Sequence, residues 1–235
     1  CKLIKNPDNA RSPLYPQSVK VHEEFSQLIL PILTKICSEV NDFSILNYTY
    51  HCLSRILYAS TAVRVNALTQ YGELYFQRFM KISTEFQHPE DPAYLHFLRE
   101  GIKFLQVVSY NSKDPTSSLN FNQEQLTAIF QFINVLFSFP ECKYEKSRSI
   151  GILNNIIIKR EQYQILEQNA QAFIGLFCSN MAPSEDEIKK MEDDPCSYND
   201  ENQLCYANFD EIRSSICRFL TSYVKSVEET QIPPS

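Results

Sequence analysis

The chain has 235 residues, 43% of them apolar, and only four glycines, under a third of the usual ~7%. Sheet proteins place glycine in their turns and helices do not, so the composition predicts an all-α chain. A net charge of −6 with no basic stripe weighs against direct nucleic-acid binding.

Charge is unevenly placed. Between Glu185 and Glu201 stand Glu185, Asp186, Glu187, Glu192, Asp193, Asp194, Asp200 and Glu201, against Lys189 and Lys190 alone. That segment accounts for the whole net charge, since the other 218 residues hold 20 acids and 20 bases. An acidic segment on a neutral helical chain is a candidate docking site for something basic.

In chain order, residues 1–16 read as an irregular segment. The first residue is Cys1 and no apolar leader precedes Pro13, so the sequence reads as a fragment of a longer protein. A first helix is predicted from about Gln17 to Val40. Val21, Phe25, Leu28, Ile29, Ile32, Ile36 and Val40 form its apolar stripe, and Pro31 is expected to kink it. A second, about Asp42 to Ala59, turns Phe43, Leu46, Tyr50, Leu53 and Leu57 inward. A third covers about Ala62 to Phe86.

The fourth begins near Asp91-Pro92, with proline at the first helical position, where its missing N–H costs nothing. Its broad apolar face (Tyr94, Leu95, Phe97, Leu98, Ile102, Leu105, Val108) predicts neighbours on two sides. After a polar loop, Asn122 and Gln125 have the spacing of a capping box. Leu126, Ile129, Phe130, Ile133 and Phe137 follow on one face. Further helices are predicted over about Glu141 to Ile158 and Glu161 to Asn180.

Ser184 with Glu187 predicts a short capped acidic helix, stopped by Asp194-Pro195. The insertion spans 181–208. A final helix spans 209–227, with Ile212, Ile216, Phe219 and Tyr223 on one side, and 228–235 reads as a frayed tail. Most joints between helices are short, which favours antiparallel neighbours. Taken in pairs, the helices advance by roughly 40–50 residues, the period of HEAT and armadillo repeats. The predicted architecture is therefore an α-solenoid of HEAT-like pairs over 17–180.

Chemistry is sparse. His22, His51, His88 and His96 are scattered, and His51 and Cys52 point about 100° apart on their helix, which rules out a dyad between them. His22 with Glu23 and Glu24 reads as a solvated face before a metal corner. Four isolated glycines make no phosphate loop, and Gly101, Gly151 and Gly175 read as close helix packing. Cys37, Cys52, Cys178 and Cys217 fall in helical patterns. Cys196 and Cys205 have eight residues between them and no histidine nearby, which argues against zinc and leaves a disulfide as the lesser reading. The acids lack the EF-hand register and its glycine. No catalytic residue, metal or cofactor is assigned, and the chain is read as a non-enzyme. The longest apolar stretch, Ile129 to Phe139, holds Gln131 and Asn134 and is far short of the ~20 residues of a membrane span.

One stretch carries a family resemblance. Lys143-Tyr144 opens one helix, and Tyr163 with Leu166 marks the next. Then come Ser184-Glu185-Asp186-Glu187-Ile188, Met191, Asp194-Pro195, Tyr198, Asp200-Glu201 and Arg213. Their order and spacing resemble a segment of the importin-β (karyopherin-β) superfamily of nuclear transport receptors. Met191 stands where most members carry Trp, and Asn199 and Asn202 replace basic residues found in some branches. The resemblance implies an interior HEAT-repeat piece of a receptor that shuttles between cytoplasm and nucleus. It implies Ran-GTP, basic protein cargo and nuclear-pore FG repeats as partners, with import favoured. The eight acids are then the cargo or Ran contact. An exportin of the importin-α type, and a helical-repeat scaffold unrelated to transport, are the alternatives.

Overall fold

The computed structural model describes residues 15–59, 61–85, 90–109, 121–139, 142–157, 170–181, 185–193 and 210–231. Among the described residues the chain is all-α, with no strand. The helices are α1 (Tyr15–Glu39), α2 (Phe43–Ala59), α3 (Thr61–Glu85), α4 (Pro92–Ser109), α5 (Gln123–Ser138), α6 (Lys143–Ile157), α7 (Ala170–Met181), α8 (Glu185–Asp193) and α9 (Asp210–Gln231). None is long and apolar enough to cross a membrane.

Local chemistry explains where several begin. The Asp42 carboxylate accepts from the backbone N–H groups of Ser44 (2.8 Å) and Ile45 (3.2 Å), capping α2. Asp91 does the same for Ala93 at 2.8 Å, with Pro92 as the first residue of α4. At α5 the reciprocal box forms. The Gln125 N–H donates to the Asn122 side chain at 2.8 Å, and the Asn122 N–H donates to the Gln125 side chain at 2.9 Å. Helix α1 runs through Pro31, which withdraws one backbone bond without ending it.

The chain divides into two compact units, residues 1–135 and 136–235. In the first, helices adjacent in sequence run antiparallel. His22 Nε2 on α1 donates to the Ile56 carbonyl of α2 (3.2 Å), while at the other end Cys37 Sγ lies 3.6 Å from the Tyr50 hydroxyl. Between α2 and α3, Arg64 Nε donates to the Leu57 carbonyl at 2.8 Å and the Tyr50 hydroxyl to the Tyr75 carbonyl at 2.7 Å. From α4 to α3, the Tyr94 hydroxyl donates to the Ser83 carbonyl at 3.0 Å, and the Tyr75 and Phe104 rings meet at 6.2 Å.

Helices two apart run parallel. The Tyr75 hydroxyl on α3 donates to Thr34 (2.6 Å), whose own hydroxyl donates to the Leu30 carbonyl of α1 (2.8 Å). Further along both helices, Arg78 Nε and Nη2 donate to the Cys37 and Val40 carbonyls, each at 2.9 Å, and Nη2 also meets the Asn41 side chain. These are carbonyls that the end of α1 leaves without intrahelical partners. Phe43 with Tyr94 (5.1 Å) and Tyr50 with Phe104 (5.6 Å) set α2 parallel to α4. Glu73 with Gln125, then Phe79 with Phe132 (5.3 Å), do the same for α3 and α5.

The core of this unit is aromatic. Phe79 is fully buried among Tyr50, Phe97 and Phe132, with ring centroids 5.3–5.6 Å away. A β-carbon on Gly101 of α4 would overlap the Phe79 ring, so that glycine is a seat for the ring, as the sequence predicts. Gly175 in α7 has open space around it, and close packing does not account for it.

Helix α1 departs from its predicted face. Val21, Phe25, Leu28 and Ile32 are 64%, 43%, 71% and 54% exposed, and the face turned inward carries His22, Ser26, Leu30, Leu33 and Cys37. A stripe read from periodicity alone cannot tell which of two apolar faces has a partner. His22 is likewise neither a metal corner nor a solvated residue. It is buried and ties α1 to α2.

In the second unit α6 packs along α9, with the Ser147 and Ser215 hydroxyls 2.9 Å apart. Phe177 of α7 meets Phe219 of α9 edge-on at 5.2 Å and Phe137 at 5.8 Å. Of the predicted stripe on the last helix, Ile216 and Phe219 are buried and Ile212 and Tyr223 half-buried, and Ile152, Leu153, Ile156 and Ile157 of α6 are buried as well. Tyr163, Leu166, the capping residue Ser184, and Cys196 with Cys205 lie outside the described residues.

Candidate functional site

Helix α8 is the described part of the acidic segment. Glu185, Glu192 and Asp193 are exposed on it, as are Lys189 and, at 42%, Ile188. Asp186 and Glu187 lie in its first turn, while Asp194, Asp200 and Glu201 lie outside the described residues. Positions 185, 189 and 192 share one face at i, i+4, i+7, so a lysine separates the two glutamates. Acids in the first turn favour the positive end of the helix dipole, whereas Glu192 and Asp193 sit at its negative end and oppose it. Local helix stability accounts for the first group and not for the second.

The residues of the family resemblance are partly in view. Lys143 is exposed at the start of α6, and the Arg148 guanidinium lies 5.2 Å from the Tyr144 ring one turn on. Arg213 is half-buried on α9. Tyr198 falls outside the described residues.

Sequence reasoning misses a second polar cluster. Glu100 on α4 is buried and meets the His51 ring of α2 at Nδ1 (3.0 Å) and the Lys103 ammonium at 2.6 Å. Cys52, next to His51 in sequence, projects about 100° around the helix from it. The cluster's signal in the sequence is faint, since the pairing crosses 49 positions.

Burial pushes the Cys37 and Cys52 thiols and the Tyr50 hydroxyl up, and these groups stay protonated near neutral pH. That is the reverse of the activation a nucleophilic thiol needs. Lys146, buried beneath Phe137 at 5.5 Å, has its amine pKa lowered by the same desolvation. Among the described residues, Cys37, Cys52, Cys178 and Cys217 are free thiols, and no cluster of three His, Cys, Asp or Glu side chains is arranged to hold a metal.

A groove of about 240 Å³ runs between α1 and α3, lined by Gln27, Leu30, Asn66, Gln70 and Tyr71. It is small and half open, below the ~300–1,000 Å³ of typical small-molecule sites. Among the described residues of the first unit, an exposed apolar stripe lies on α1, at Val21, Phe25, Leu28 and Ile32.

No protein-family model, curated protein or solved structure matches this chain. The exposed surfaces described are a short acidic helix in one unit and an apolar helix face in the other.

Proposed function

We propose that this chain is a segment of an α-solenoid nuclear transport receptor of the importin-β type. It binds basic protein cargo, Ran-GTP or both through its acidic segment, and it works in import, shuttling between cytoplasm and nucleus past FG-repeat nucleoporins. The observation that carries the solenoid part is the regular alternation of helix directions in the first unit. Sequence neighbours are antiparallel and second neighbours are parallel, which is how helix pairs stack into a superhelix. Support for the partner class comes from Glu192 and Asp193, carboxylates kept at the helix end where the dipole opposes them.

Electrostatic contacts of this kind set on-rate and specificity and weaken with salt. The deciding experiment is a pull-down of the full-length protein with Ran loaded with GTP or with GDP. Binding to the GTP form alone supports the receptor reading. Equal binding, or none, favours a helical-repeat scaffold outside transport. Capture of importin-α only together with Ran-GTP would favour the exportin branch.

A further inference from the structure

The outer face of α1 has bulk at one end and a hollow at the other. At about 100° per residue, the exposed Val21, Phe25, Leu28 and Ile32 fall within an arc of roughly 60°. Leu30 and Thr34, which meet Tyr75 of α3, lie on the opposite side of the helix, so the stripe points away from α3. Further along the same face a hollow of about 410 Å³ opens over Pro31, Ile32, Lys35, Ile36, Glu39 and Val40. Ile32, Lys35, Ile36 and Glu39 have the i, i+3, i+4, i+7 spacing of a hole that takes a knob from a facing helix.

Charge on this helix follows the same division. Lys20, Glu24, Lys35 and Glu39 are exposed, and their signs alternate along the chain. Lys20 and Glu39 are equally distant from the point between Ile29 and Leu30, and so are Glu24 and Lys35. Glu24 and Lys35 also sit within about 20° of each other around the helix, on one flank of the stripe. A second α1 laid antiparallel about a two-fold axis at that point brings each acid level with a base. A parallel copy in register sets like charges against each other.

We propose that the outer face of α1 is a self-docking surface, and that two copies of the chain pair through antiparallel α1 helices about this two-fold axis. The contact is isologous, with the same patch used by both partners. Phe25 of each copy enters the hollow over Ile32, Lys35 and Ile36 of the other, and Val21 packs beside Ile36 and Val40. Leu28 meets Pro31 near the axis. Glu24 pairs with Lys35 and Lys20 with Glu39 across the interface, which fixes direction and register more than strength. Pairing covers apolar surface of a kind that monomers rarely leave open. It does not rest on the transport reading. A monomer that binds Ran-GTP fails this proposal alone, and a dimer indifferent to Ran fails only the other.

The test is sedimentation velocity of the full-length protein over a range of concentrations. One helix against its copy is a small interface, so the expected dimer is weak, with a dissociation constant on the order of 10 µM. Phe25→Asp, at an exposed position that leaves the core untouched, should weaken association at least tenfold with an unchanged circular dichroism spectrum. Lys35→Glu should weaken it too, and more so at low salt. Adding Glu24→Lys to that variant should restore it, because the swapped charges again meet their opposites. A monomer at every concentration would overturn the proposal, as would a dimer that ignores Phe25→Asp. Failure of the double charge swap to restore association would overturn it as well, since only antiparallel pairing sets position 24 against position 35.

Discussion

At the residue scale, the most consequential contact is the Phe79 ring seated against Gly101. The ring has no room to retreat, because Tyr50, Phe97 and Phe132 close around it. Alanine normally improves a helix interior by about 0.5–1 kcal/mol over glycine. At Gly101 the added methyl overlaps the ring, and overpacking of about 1–3 kcal/mol is expected to win. Gly175 offers the opposite case on the same chemistry, with nothing near its missing β-carbon. Gly101→Ala should therefore lower the denaturation midpoint and Gly175→Ala should raise it, read by urea titration of the two variants. A gain at both positions would mean that the Phe79 ring is free to move.

At the element scale, α8 holds a conflict between folding and charge. Reversing Glu192 and Asp193 to lysine puts cations at the negative end of the dipole, worth about 0.3–1 kcal/mol each to the helix. The same change removes two carboxylates from the proposed contact. The expected outcome is a more protected α8 by hydrogen exchange together with weaker binding of the basic partner and a shallower salt dependence. Unchanged binding would leave these acids as solvated charge. Element boundaries were legible where a residue announced them: the Asn122–Gln125 box caps as its spacing predicts, and α2 and α4 begin near the predicted Asp42 and Asp91-Pro92, where the two aspartates supply caps that the sequence reading did not name. The inward faces of α2, α4 and α5 were legible too, because predicted apolar residues such as Leu46, Leu53 and Leu57, Phe97 and Leu105, and Leu126 and Ile133 are the buried ones. Helix α1 was not, since both its faces are apolar and periodicity carries no information about which one meets a neighbour. The Glu100 cluster was hidden for a related reason, as its members come together only when α2 lies along α4.

At the scale of the whole molecule, the chain is two compact units, and each has its own buried core. Leu46 in the first and Ile156 in the second are both fully buried, so truncation of either to alanine should cost about 2–5 kcal/mol. Unfolding should then depart from a single transition. Leu46→Ala is expected to move one step of the denaturation curve and Ile156→Ala the other, followed by circular dichroism. One step moved equally by both would show the units to be a single cooperative body. The all-α class was legible from glycine scarcity and periodicity alone. The division into units was not, because it falls inside α5, where no break in composition marks it.

The grip of Arg78 and Tyr75 on α1 has a mechanical consequence. Two side chains of α3 engage acceptors spread from Leu30 to Val40, so the helices are pinned at two points along their length. Sliding α3 by one turn, about 5.4 Å, would break every one of these links at once. A small roll of one helix about the other would strain them only slightly. Under tension the first unit should behave less like a deck of cards that shears and more like a hinge with a fixed pin.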